Sequence, residues 1–379
     1  MHLVCDARCL HRSMGGIGHA TLPLINQLGR LRTSTDQFTI LMGPNAPEHV
    51  SVPGATLVEV NAGMVDPHFE QHQLPHTLEL LNADVYLNMT FSVPAVAGKT
   101  AQVAVIHDVV FEERPEFVEA SLRHYLRRWS RVSATVADRI ITVSDDARRR
   151  IQHAYGIADD RIIRIYNGMT PCKRVDQQDP AVRDALRRHR LEPPYLLYLG
   201  SIEPKKGIAS LLNAWESTQL TATYTTLVLV GAPSDSSGEL ARRIQGHCRS
   251  SDIRQLGYVS DQDKHLILAG AHTLVYPSLY EGFGLPPLEA LAHGIPCVVH
   301  HGTSLPEVVG DLGLLVNVLH TPDLINMLIR ASTDLPYRDR VLHLGPVHAA
   351  RFRWDDAASH YWSVCHQAWE IRCRKEAAA

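Results

Sequence analysis

Glu281 and Glu289 stand eight positions apart around a glycine-rich turn, in the stretch Pro277-Ser-Leu-Tyr-Glu281-Gly-Phe283-Gly284-Leu285-Pro-Pro-Leu-Glu289-Ala-Leu-Ala292. Two glycines permit a tight turn whose backbone N–H groups approach a ligand closely, and prolines that open a helix forfeit no hydrogen bond. The free amides and the positive helix end beyond Gly284 suit a diphosphate. Glu281 precedes the turn and Glu289 is expected in the first turn of the helix, so both carboxylates could accept hydrogen bonds from sugar hydroxyls. Alone, such a pair more often comprises a complement to the helix dipole and a solvated loop residue.

Three further places carry candidate chemistry. Gly200-Ser201-Ile-Glu203-Pro-Lys205-Lys206-Gly207 follows an apolar run, and its adjacent lysines offer compact positive charges to a leaving diphosphate; the bland reading is a solvated loop. His107-Asp108 closes the run Val103–Ile106, where a histidine is more often a satisfied structural residue than a catalytic one. Asp6-Ala-Arg8 leads into Met14-Gly15-Gly16-Ile17-Gly18-His19, a glycine-rich turn able to cradle phosphate but weak evidence alone; the helix beyond it is expected to turn Ile25, Leu28 and Leu31 inward. No Asp-x-Asp stands at a strand end. Asp145-Asp146 after Ser144 reads as a helix start, and His300-His301 as a loop, so neither a catalytic metal nor another cofactor is expected.

The elements that must position these residues alternate between short β-branched runs and helical patterns, as in parallel sheets built from βαβ units. Strands are predicted at 3–5, 38–42, 56–60, 85–88, 103–106, 140–143 and 162–165. A second series falls at 195–199, 226–230, 253–256, 274–276, 297–299 and 314–316. Between the series, 167–194 has turn and linker composition around one short basic helix. The fold is therefore α/β with two doubly wound domains, at 1–170 and 190–355, followed by a C-terminal helix over 356–379. Ligands of such sheets bind beyond the carboxyl ends of the strands, which places the expected cleft between the domains.

The stretch from Pro277 to Ala292 resembles the E-x(7)-E motif of the retaining glycosyltransferase family 4, which has the two-domain GT-B fold of facing Rossmann-like domains. The resemblance implies that Glu281 contacts a hydroxyl of the donor sugar and Glu289 the ribose of the nucleotide, with Phe283, Gly284 and Leu285 in the donor-binding turn. It implies that Lys206, with Gly200, Ser201 and Lys205, faces the donor phosphates; Ser201 stands where the family usually has arginine, so Lys205 would supply the second charge. His107 would contact the donor sugar near the reacting centre, making His107, Glu281 and Lys206 the expected catalytic set. Gly16 and Gly18 resemble a Gly-Ile-Gly-Arg-Tyr loop over the donor, with His19 and Ala20 replacing the arginine and tyrosine. Ala137–Ser144, Tyr166-Asn-Gly168 and Gly302–Glu307 extend the resemblance along the chain, and Phe352-Arg-Trp354 lies where such proteins return to pack on the first domain.

What the resemblance implies for activity is transfer of a hexose from a nucleotide-diphosphate sugar, GDP-mannose before dTDP-rhamnose or a UDP-hexose, with retention and without metal, to a saccharide acceptor carried on a polyprenyl lipid. The same fold also hosts epimerases and phosphorylases, and a donor-binding protein without turnover is a further alternative. A formal net charge of -3 gives no support for nucleic acid as a partner, and the odd cysteine count of 7, with no C-x-x-C, suggests free thiols in a reducing cytoplasm. Charges break the first apolar run, and no stretch approaches the length of a membrane span, so membrane contact is expected to be peripheral. A candidate for that contact is the 121–132 segment, whose Arg123, Arg127 and Arg131 share one helical face and could meet an anionic inner leaflet.

Overall fold

A computed structural model describes residues 1–11, 15–47, 50–170, 175–234 and 238–378; Met14 and Cys172 lie outside the described residues. The chain divides into two compact units, Met1–Thr170 with Arg353–Ala379, and Pro171–Phe352.

The first unit contains β1 (His2–Asp6), β2 (Gln37–Met42), β3 (Thr56–Glu59), β4 (Val85–Asn88), β5 (Ala101–Val105), β6 (Arg139–Thr142) and β7 (Ile162–Arg164), in the parallel order β3-β2-β1-β4-β5-β6-β7. The second contains β8 (Tyr195–Leu199), β9 (Thr226–Val230), β10 (Ile253–Gly257), β11 (Thr273–Tyr276), β12 (Cys297–His300) and β13 (Leu314–Val316), ordered β10-β9-β8-β11-β12-β13. Every strand read from the sequence is present to within a residue or two. Central strands such as β4, β5 and β8 are buried throughout, which is why they read as continuous apolar runs: crossover helices cover both faces. At the edges the pattern loosens, and Arg254 and Gln255 of β10 are exposed. In both sheets the order reverses beside the first strand, so the loops after β1 and β8 open at switch points where such folds bind ligands.

The helix Gly16–Leu31 buries Ile25 and Leu28, but Leu31 is 42% exposed, contrary to expectation. Leu31 is the final helical residue, and the chain turns away at Arg32 before the next strand. The helix Trp354–Ala377 belongs to the first unit. Trp354, Ala357, Ala358, Tyr361, Cys365 and Ala368 repeat at helical spacing and are buried there, while the Trp362 indole donates to the Leu28 carbonyl at 3.0 Å. Beyond them Arg372 and Lys375 converge on the fully buried Asp138 carboxylate at 2.7 and 2.9 Å, and Asp138 also accepts from the Gln102 amide. The six cysteines among the described residues are free thiols.

Candidate functional site

In the second unit, β8 and β11 are neighbours and deliver their following loops side by side. Lys206 ends a short 3-10 turn after β8, and its chain reverses through Gly207 at φ 70°, where a Cβ would lie 2.1 Å from the Pro277 carbonyl. Only glycine permits that approach. The Lys206 ammonium reaches a Glu281 carboxylate oxygen at 2.5 Å, and the Tyr276 hydroxyl donates to the same oxygen at 2.8 Å. Burial opposes ionisation of Glu281, but the Lys206 ammonium, helped by Lys205, outweighs it and holds the carboxyl below the usual range. The cluster is thus a carboxylate kept charged inside the protein beside an ammonium.

Lys205 lies 3.7 Å from Glu203, which also accepts from the Ser201 hydroxyl at 2.8 Å; Ser201 directly follows Gly200 at the end of β8. The two lysines therefore have different carboxylate partners. The turn after Glu281 is fixed from a third strand end, because the Ser304 hydroxyl, in the loop following β12, donates to the carbonyls of Phe283 at 2.7 Å and Glu281 at 3.1 Å.

Gly284 caps the helix Leu285–Ala292 with φ 114°. Glu289 is the fifth residue of that helix and not in its first turn, because the helix already begins at Leu285, ahead of the prolines expected to open it. Its carboxylate pairs with Lys264 at 2.9 Å, and Lys264 also reaches Asp261 at 3.4 Å. Burial works against the Lys264 charge, yet Glu289 and Asp261 raise its pKa. Pro286 and Pro287 leave Leu285 and Leu288 as the N–H donors among the first four helical residues, so the helix end offers a diphosphate fewer hydrogen bonds than expected.

In the first unit His107 follows β5, buried, with its Nε2 2.9 Å from the Met89 carbonyl and its ring edge-on to Phe91 at 5.6 Å. A carbonyl partner requires the proton on Nε2 and leaves Nδ1 an acceptor; burial keeps the ring's pKa below its ordinary value. Phe91 itself has φ 71°, an uncommon conformation for an aromatic residue. Gly16 and Gly18 fall in the first turn of the helix capped by Gly15, Gly16 exposed and Gly18 buried.

Beneath the β1 and β4 ends lies a buried polar network that sequence reading missed. Arg8 makes a bidentate contact with Asp6 and reaches Glu70 at 3.2 Å and the Gly63 carbonyl at 2.6 Å. Tyr86 donates to Asp6 at 2.7 Å, and Tyr125 and Ser92 donate to Glu70 at 2.7 and 2.9 Å. Burial raises the Glu70 pKa against the pull of Tyr125 and Arg8. Tyr276, Ser304 and Lys264 were also unseen, since contacts across strand ends leave no local pattern in the chain.

The helix Ala120–Val136 keeps its basic face partly occupied: Arg127 and Arg131 share Glu112 at 3.2 and 3.6 Å, and Arg123 donates to the Pro115 carbonyl at 3.0 Å. His124 and Arg128 are exposed beside a shallow depression of about 570 Å³. Asp145 and Asp146 form the first turn of a helix capped by Ser144, whose hydroxyl accepts from Ala147 at 3.0 Å. Glu216, His247 and Cys248 bring one possible metal ligand each within 4.8 Å of one another. Both His247 ring nitrogens are engaged there, Nε2 with the Leu212 carbonyl at 3.0 Å and Nδ1 with the Arg249 amide at 3.1 Å.

Comparison with known proteins agrees on one family. Residues 15–171 match the model described as Glycosyltransferase Family 4, and residues 193–334 the model described as Glycosyl transferases group 1. The O-antigen chain mannosyltransferase B of Escherichia coli is 32% identical over 261 residues, 68% of either chain. The serotype-specific mannosyltransferase WbdA of Escherichia coli is 27% identical over 281 residues, 71% of this chain but 34% of that protein, so the chain spans about a third of it. Among solved structures, Anabaena Alr3699/HepE in complex with UDP and glucose superposes with a TM-score of 0.71 at 18% identity, covering 96% of this chain and 98% of that one. Two doubly wound sheets, both family matches and the mannosyltransferase relative give one conclusion: the chain belongs to the family 4 glycosyltransferases and has their GT-B fold.

Proposed function

We propose that this glycosyltransferase moves a mannosyl residue from GDP-mannose to a saccharide acceptor with retention of configuration and without a metal ion. The observation that carries the reading is the Lys206–Glu281–Tyr276 cluster between the ends of β8 and β11. A carboxylate held ionised beside an ammonium suits a ligand with hydroxyls on one side and a diphosphate on the other. The relatives named as an O-antigen chain mannosyltransferase and a serotype-specific mannosyltransferase support mannose and a cell-surface polysaccharide product.

In this reading the bond between the anomeric carbon and the β-phosphate oxygen breaks. The acceptor hydroxyl attacks from the face of departure, and its proton passes to the departing phosphate. The protein's share is then electrostatic: Lys206 and Lys205 stabilise charge building on the phosphate, while Glu281 orients the hexose. Glu289 takes the ribose, for which its partner Lys264 keeps the carboxylate oriented.

Incubation with GDP-mannose, dTDP-rhamnose and UDP-glucose, with product anomers read by NMR, tests donor and stereochemistry together; an inverted product or no use of GDP-mannose would refute that part. A chelator should leave the rate unchanged. Glu289→Gln is expected to raise KM about tenfold with kcat nearly constant, and Glu281→Gln to lower kcat, because ribose contacts act equally in ground and transition states while sugar contacts sharpen. Near-normal kinetics in both variants would remove the site assignment.

The acceptor in this reading is polyprenyl-linked, met at the inner face of the cytoplasmic membrane. None of the described helices is long and apolar enough to cross a membrane, and Arg128 offers an exposed positive group. Because Arg123, Arg127 and Arg131 also hold the 110–117 segment, Arg128→Glu is the cleaner probe. Sedimentation with anionic vesicles should occur at low salt, reverse with added salt, and weaken several-fold in this variant, each basic group near such a surface contributing about 1 kcal/mol. Failure of the unaltered protein to sediment would point to a soluble acceptor.

A further inference from the structure

Thr303 lies in the loop after β12, between Gly302 and Ser304. Of the non-glycine residues at positive φ among the described residues, Asn82, Phe91, Arg190 and Thr303, it is the β-branched one, at φ 66°. A branched Cβ makes that conformation costly, whereas glycine adopts it freely. Its hydroxyl oxygen is also enclosed with no hydrogen-bond partner, although the residue as a whole is half-buried. An enclosed hydroxyl without a partner carries a desolvation penalty that valine, of the same shape, would avoid.

Two costs thus fall on one side chain: glycine would relieve the backbone, and valine the burial. Threonine carries both costs at once in the unliganded loop. Strain of this kind persists only where surrounding contacts over-determine it, and here they do, since the Ser304 hydroxyl ties the loop to the Phe283 and Glu281 carbonyls at 2.7 and 3.1 Å. Those carbonyls belong to the turn that carries Glu281. The Glu281 side chain on that turn is an acceptor for neutral hydroxyl groups, so a sugar hydroxyl is the ligand chemistry we take for the partner that the Thr303 hydroxyl lacks.

We infer that Thr303 is a donor-specificity residue whose hydroxyl, after rotation about its Cα–Cβ bond, pairs with one hydroxyl of the transferred hexose. The inference rests on the proposed donor site and adds to it a residue that discriminates between hexoses differing at a single hydroxyl. A site built to bond a substrate hydroxyl rejects the analogue lacking it, because its own polar group is then left unpaired.

The test is a cycle of protein and donor changes. kcat/KM is measured for GDP-mannose and its 2-, 3-, 4- and 6-deoxy analogues with the unaltered protein, Thr303→Val and Thr303→Ser, alongside the Kd for GDP. Thr303→Val should lower kcat/KM for GDP-mannose about tenfold, with the Kd for GDP changed less than about twofold. For one deoxy analogue, valine and threonine should perform alike, and Thr303→Ser should retain most activity. Thr303→Gly should raise the unliganded Tm while losing the same activity, which separates strain from binding. Equal activity of Thr303→Val and the unaltered protein, a uniform loss across all five donors, or weakened GDP binding would each overturn the inference. If GDP-mannose is not turned over at all, the donor assignment fails separately, and the deoxy series of the hexose donor that is turned over decides the role of Thr303 by the same criteria.

Discussion

Lys206→Ala is expected to lower kcat/KM for the sugar donor by about 2 to 4 kcal/mol, roughly 30- to 1,000-fold, comparable with removing one preorganised donor to a developing oxyanion. Lys205→Ala should cost less, because Lys205 stands 3.7 Å from Glu203 whereas Lys206 is buried against Glu281 and Tyr276. Removing Lys206 also strands the Glu281 carboxylate, which could unsettle the loop and mimic a catalytic defect. Combining Lys206→Ala with Glu281→Gln separates the effects: stability should recover, while activity should fall well below that of Glu281→Gln alone. Activity that survives Lys206→Ala and disappears in Lys205→Ala would reverse the two assignments.

The second large effect concerns stability. Asp6→Ala is expected to cost about 3 to 5 kcal/mol, read as a lower denaturant midpoint, because it leaves the Arg8 guanidinium enclosed with Glu70 as its remaining carboxylate. Asp6, Arg8 and Glu70 are 0%, 3% and 0% exposed, so water cannot replace the lost partner. Asp6→Asn keeps the shape and one acceptor oxygen and should fall between; an unchanged midpoint in both variants would show that Glu70 and Gly63 suffice to hold Arg8.

Both sheets were legible because their strands are short, β-branched and punctuated by turn residues, a pattern set by burial on both faces. The turn around Glu281 was legible through the spacing of glycine, proline and glutamate. What escaped were features made by distant chain segments: the Arg8–Glu70 contact joins residues 62 apart, and the Lys206–Glu281 pair joins residues 75 apart. The helix start was misplaced relative to Glu289 because a glycine with left-handed backbone looks the same in sequence as one inside a turn. Leu31 obeys the helical period, yet that period cannot show where its helix stops lying against the sheet. Nor does any local pattern reveal that Thr303 takes a conformation suited to glycine.

The helix Trp354–Ala377 completes the unit that begins at Met1, although the whole of Pro171–Phe352 is synthesised between them. During translation the second unit therefore has its full set of strands while the first still lacks the helix that covers Leu3, Phe38 and Ile141 and neutralises Asp138. The order in which the two units can mature is thus opposite to the order in which they begin, since domains fold as units once their cores are in place. Until then the nascent first sheet exposes an apolar face to the cell's chaperones.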